Sequence, residues 1–175
     1  MKTRGITKGT GTVVQDARIV HPFAPVYDGK SRILILGTMP SPVSRENGFY
    51  YGHGQNRFWP VLAAVFSEPV PETVKQKRAL VLRHGIALWD VLHSCRISGA
   101  NDASIKEPKP NDLRIFPHIR RIYTTGKTAW KLYKTLCFPF TNIPAVYLPS
   151  TSAANRGRWP LEKLIKHIKL SQNNA

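Results

Sequence analysis

Two stretches of the chain hold the side chains best suited to chemistry. The first, GTMPSPVSRENGFYYGHGQNRFW over residues 37–59, sets Phe49, Tyr50 and Tyr51 between glycines and then offers Gln55, Asn56 and Arg57. An aromatic face can hold a nucleobase by stacking, at about 1–3 kcal/mol per base. An amide presents a donor and an acceptor together, so Gln55 and Asn56 can read the edge of a base. Glycines let the backbone come close to a ligand, and the amides around Thr38, Met39 and Ser41 at the start of the stretch are candidate donors to it. Phe58 and Trp59 read differently, as the apolar opening of a helix that continues through Val61, Leu62 and Val65. The second stretch, LPSTSAANRGRW over residues 148–159, is small, polar and basic. Its Ser150, Thr151, Ser152 and Asn155 can bracket a phosphate, and Arg156 and Arg158 add charge. Alone it would serve equally as a turn into a capped helix. Beside the first stretch it reads as a clamp on a nucleic-acid backbone.

The balance of charge points the same way. A formal net charge of +16 and a pI near 10.3 imply a polyanionic partner, because each Lys or Arg that neutralises a phosphate releases condensed counterions. Two cysteines, Cys95 and Cys137, cannot build a four-cysteine zinc or iron–sulfur site from this chain alone. Both read as buried thiols. No apolar run approaches the length of a membrane helix, and the N-terminus lacks the marks of a secretory signal, which makes the cytoplasm the expected location. Residues 1–12 read as a mobile basic arm, followed by one domain over residues 13–175.

The elements that position these loops follow from hydrophobic pattern. Residues 32–37 hold the unbroken apolar run Ile33-Leu34-Ile35-Leu36, the mark of a strand covered on both faces. Residues 86–91, 121–125 and 145–148 predict three more strands. Helices are expected over residues 72–83, 127–137 and 161–170, each with an apolar stripe at three-and-four spacing or a Pro–Gly frame. Strands alternating with helices imply right-handed crossovers and an α/β/α sandwich. Ligands in such sheets bind outside the carboxyl ends of the strands, where both polar loops emerge. Asp90, ending the second strand, is a reserve candidate for a general base, although a carboxylate there more often holds a loop. Asp102 is a weaker one, and His53 is expected to brace the aromatic loop.

The GF-x-aromatic-x-H-x-x-NRFW pattern over residues 48–59 resembles the base-pocket segment of the mismatch-specific uracil-DNA glycosylases. The stretches HPFAPVYDGKSRILILGTMPS, YYGHGQNRFW and LPSTSAAN, in that order, resemble the hypoxanthine-DNA (deoxyinosine) glycosylase branch of the uracil-DNA glycosylase superfamily more closely still. The likeness runs from His21 to the C-terminus. It implies a three-layer α/β/α sandwich around a central four-stranded parallel sheet, and an enzyme that acts on a deaminated base, foremost hypoxanthine, flipped out of DNA, without metal or cofactor. No lysine is spaced to serve a Schiff-base lyase, so a monofunctional hydrolase is expected, and a monomeric one. Tyr51 matches the aromatic that stacks on the base, Ser150 the residue that pinches the backbone, and residues 151–158 the wedge that fills the vacated space. Thr38, Met39, Phe49 and Gln55 complete the expected base pocket. Met39 stands where many members carry a water-positioning Asp or Asn, and Leu148 where efficient uracil enzymes carry His or Asn. The deoxyinosine branch shares both losses and relies on the asparagine matched here by Asn56. A uracil or mismatch enzyme and a DNA-binding member without chemistry are the alternatives. Thr125-Gly126-Lys127-Thr128 resembles a phosphate loop only weakly, with Arg121 where its first glycine belongs.

Overall fold

The structure, a computed structural model, describes residues 17–173. The arm expected over residues 1–12 lies outside them. In chain order the strands and helices are β1 (Ala17–Val20), β2 (Ile33–Gly37), α1 (Pro42–Glu46), α2 (Phe58–Phe66), α3 (Val74–Arg83), β3 (Ile86–Asp90), β4 (Leu92–Ile97), β5 (Lys106–Pro110), β6 (Arg121–Thr125), α4 (Lys127–Leu136), α5 (Phe138–Thr141), β7 (Ala145–Leu148) and α6 (Leu161–Asn173).

The four strands expected from the apolar runs form one parallel sheet in the order β3-β2-β6-β7. Side chains alternate across it. Ile35, Ile86, Leu88 and Tyr123 pack with Val61, Leu62, Leu80, Leu164 and Ile168 from α2, α3 and α6. Leu34, Leu36, Ala87 and Ile122 pack on the opposite face with Ala129 and Tyr133 of α4. Both faces are thus sealed, which is why β2 needs an unbroken apolar run. Helix α3 begins at Val74, two residues inside the predicted start, with a capping box between Thr73 and Gln76, and Gly85 takes a left-handed φ of +64° just past its end.

A second sheet was not legible in the sequence. It is antiparallel, in the order β1-β4-β5, and helps α4 cover the second face through Leu92, Cys95 and Ile97. Its strands alternate weakly, and β5, KEPKP, holds two prolines, a composition that argues against a central strand and suits the edge position it takes.

The order of the parallel sheet places its reversal between β2 and β6, because β2 crosses to β3 on one side while β6 continues to β7 on the other. The carboxyl ends of β2 and β6 therefore open a crevice between the loops that leave them, the place where open α/β sheets bind ligands.

Candidate active site

A cavity of about 130 Å³ sits in that crevice. Thr38, Met39 and Ser41 line it from the loop after β2, Tyr50, Tyr51 and Asn56 from the aromatic stretch, and Ser150 and Thr151 from the loop after β7. Asp90, Asp102 and Thr125 complete it.

Tyr51 is held in a costly conformation. Its φ of +51° is left-handed, which disfavours any residue with a Cβ by about 1–2 kcal/mol. The ring stacks on Phe58 with centroids 3.7 Å apart and planes 10° from parallel, and its hydroxyl lies 3.0 Å from the Thr125 hydroxyl. One face is thus taken by Phe58, and a base can lie only against the other. Burial, and after it the charge of Asp90, push the phenol far above its usual range, so it stays protonated.

Asn56 is oriented by what surrounds it. The Phe58 N–H at 3.0 Å and the Thr151 hydroxyl at 2.8 Å both donate to its Oδ1. A backbone N–H needs an acceptor, so the oxygen must face α2 and the Nδ2 becomes the group left to act. That amide nitrogen makes no hydrogen bond among the described residues. Asn56 can therefore donate to a ligand, and its oxygen is already engaged.

Arg57, whose role the sequence did not suggest, ties the two loops together. It is 7% exposed, and its guanidinium donates to the carbonyl oxygens of Thr151, Ser152 and Trp159. Its own backbone N–H reaches the Thr151 carbonyl at 3.1 Å. Burial, then the charge of Arg156, lower its pKa.

The opposite wall carries two carboxylates. Asp90 ends β3 beside Gly37, so close that a Cβ on Gly37 would fall 2.3 Å from Asp90 Oδ1. Only glycine fits there. His21 Nε2 lies 2.7 Å from Asp90 Oδ2, with the two side chains 2% and 7% exposed. His21 Nδ1 lies 3.0 Å from the Phe23 carbonyl oxygen and 3.2 Å from the Phe23 N–H, so the Phe23 backbone anchors the ring with Nε2 turned toward Asp90. Asp102, on a 3-10 turn between β4 and β5, accepts from the Thr38 hydroxyl at 3.0 Å. Burial raises its carboxyl pKa, the Thr38 bond opposes the rise, and the charge of Asp90 adds to it.

Several expected residues stand elsewhere. Phe49 is a core side chain, stacked at 6.0 Å on Trp59, and does not reach the cavity. Gln55 is exposed and outside it, while its N–H donates to His53 Nδ1 at 3.1 Å, so His53 does brace this loop. Thr151, expected on the DNA backbone, is buried with its hydroxyl spent on Asn56. Ser152, Asn155 and Arg158 line a neighbouring cleft of about 280 Å³ with Lys127 and Trp159, joined to the first through Ser150. The Asn155 amide braces that loop at the Ser150 carbonyl, 2.8 Å away, and Arg156 and Arg158 are exposed. Tyr50 was named only as one of three loop aromatics, with no role of its own, and His21 was not singled out. His21 opens the HPFAP stretch of the resemblance, the one signal that could have marked it.

Comparison with known proteins agrees with this geometry. The model of the uracil DNA glycosylase superfamily matches residues 24–169. A hypoxanthine DNA glycosylase of Methanosarcina acetivorans is 33% identical over 143 residues, covering 79% of this chain and 89% of that protein. One of the same name from Methanosarcina barkeri is 36% identical over 110 residues, 60% of this chain and 70% of the relative. The solution NMR structure of a Methanosarcina acetivorans protein, named provisionally as a uracil DNA glycosylase, superposes with a TM-score of 0.69 and 28% identity, covering 86% of this chain and 96% of that one. With an open parallel sheet, a polar cavity at its reversal point and a family match over most of its length, this chain belongs to the uracil DNA glycosylase superfamily.

Proposed function

We propose that the chain is a monofunctional DNA glycosylase that hydrolyses the N-glycosidic bond of hypoxanthine flipped out of DNA. The observation that carries this reading is the pairing of Asp90 and Asn56 in one cavity with Tyr51. Deamination of adenine turns ring N1 from an acceptor into an N–H donor and the exocyclic amine into a carbonyl. A carboxylate accepts and the Asn56 amide nitrogen donates, so the cavity offers the acceptor and the donor that match the N–H and C=O groups deamination creates. Adenine presents the reverse pattern and leaves both groups unmatched, a mismatch a hydrogen-bonding pocket rejects strongly.

Tyr51 covers the base with its free face. Thr38, Met39 and Ser41 border the sugar side, and Ser150, Ser152, Asn155, Arg156 and Arg158 follow the strand along the adjoining cleft. Extruding a nucleotide costs a few kcal/mol, least where the pair is already weak, which favours an inosine mispair. As the bond breaks the purine becomes anionic, and the Asn56 amide is a preorganised donor to it. The enzyme acts as a monomer in the cytoplasm.

The test is single-turnover cleavage of oligonucleotides carrying inosine, uracil, xanthine or adenine, with alkali to break abasic sites. Inosine should be cut fastest and adenine left intact. Preference for uracil would replace the substrate, and no cleavage of any of them would leave a DNA-binding protein without chemistry.

A further inference from the structure

Hydrolysis of a glycosidic bond needs a group that accepts a proton from the attacking water, and most acceptors in this cavity are already committed. The Asn56 oxygen takes two hydrogen bonds, from Phe58 and Thr151. Asp90 is tied to His21 at 2.7 Å and, in the reading above, faces the base edge. The Tyr51 phenol is held protonated, and the Tyr50 hydroxyl is bound to the Ala24 carbonyl at 2.9 Å. Met39, nearest the start of the loop, offers no proton acceptor of use.

Asp102 is different. It lines the same cavity, one carboxylate oxygen is fixed by the Thr38 hydroxyl, and the other has no hydrogen-bond partner among the described residues. It comes from the turn joining β4 and β5, outside both sequence motifs. We infer that Asp102 is the general base of this enzyme, delivered to the cavity by the antiparallel sheet and aimed by Thr38. The water oxygen bonds to the sugar C1′ while one of its protons passes to the free oxygen of Asp102. The electron pair of the C1′–N9 bond leaves with the purine, which then takes a proton from solvent as Asp102 returns its own. No reactant beyond water is required.

The environment suits the role. A carboxyl raised by burial holds a proton more firmly than an exposed one, and so is a stronger base when ionised at working pH. The groups acting on it are the Thr38 hydroxyl and Asp90 from β3, and its own charge raises the Cys95 thiol of β4 beyond what burial does, against Arg45 of α1 and Arg18 of β1. No Lys or Arg forms an ion pair with it among the described residues.

The inference rests on the glycosylase reading, which sets Asp90 against the base edge and requires that a base be released, and it is tested on whichever oligonucleotide the native protein cuts. Base release by the native chain should fall as pH drops through the pKa of Asp102. Asp102→Asn keeps an acceptor for Thr38 yet cannot take the proton. It should slow single-turnover release by about a hundredfold or more, lose that acid limb, and bind the same DNA as tightly as the native chain. Thr38→Val removes the hydrogen bond that lowers the pKa, and should move the acid limb to higher pH. Native rates for Asp102→Asn on a substrate the native protein cuts would overturn the role of Asp102 and leave the substrate reading standing. An unchanged acid limb in that variant would also overturn it. A native protein that releases no base would overturn both.

Discussion

The two walls of the cavity are built in different ways. One comes from contiguous motifs: the residues that orient Asn56 lie in the same stretch, at Phe58, or in the second polar loop, at Thr151. The other is assembled from distant parts. His21, Asp90 and Asp102 arrive from three places in the chain, brought together by the pairing of β2 with β3 and by the antiparallel sheet. The first wall supplies donors and an aromatic face, and the second supplies carboxylates. A pocket that needs both kinds of group can thus keep a recognisable motif on one side and draw its acid chemistry from scaffold positions on the other.

That contrast can be broken from the motif side first. Asn56→Ala removes the one amide donor and should reduce inosine cleavage at least about a hundredfold, the scale of a lost anion-stabilising donor. Single-turnover rates near the native value would show that the motif wall is structural only. On the scaffold side, Asp90→Asn replaces an acceptor-only group by one that can also donate. It should narrow the preference for inosine over adenine by roughly tenfold or more, since one matched hydrogen bond decides the discrimination. Relative kcat/KM on the two DNAs reads this, and an unaltered ratio would move base recognition away from Asp90.

Arg57→Met tests how the motif wall is held up. The three carbonyl oxygens lose a buried cationic partner, and unfolding in denaturant should show a loss of about 2–3 kcal/mol. Loss of activity should accompany it, because Thr151 no longer holds Asn56. Stability within a few tenths of native would mean that the two loops are fixed by packing alone. The smallest effect belongs to the rim. Arg158→Ala should weaken binding equally for all sequences and lower the slope of log affinity against log salt by about one. A sequence-dependent loss would place Arg158 on a base instead of a phosphate.

Legibility followed the range of the interaction that decided each feature. The parallel strands were readable because burial on both faces demands apolar runs such as Ile33-Leu34-Ile35-Leu36, and β6 and β7 matched their predicted bounds. Tyr51 and Asn56 were readable because loop glycines, aromatics and amides occur together in one stretch. Phe49 and Gln55 were placed in the pocket by the same adjacency, and the fold separates them. A left-handed residue at Tyr51 and the start of α2 send Phe49 inward against Trp59 and leave Gln55 in solvent. Thr151 looked like a phosphate ligand until the grip of Arg57 on its carbonyl turned it inward.

The sequence by itself determined the parallel sheet, the helices that cover it, the basic character of the molecule and the two loops at the carboxyl ends of the strands. Periodicity, caps and charge act over a few residues and leave their mark there. Only the tertiary structure decided which carboxylates face the cavity, why Gly37 must lack a side chain, and which atom of Asn56 is left to act. Those outcomes depend on strand order and on contacts between residues far apart in the chain, such as His21 with Asp90 and Thr38 with Asp102. No local pattern encodes them.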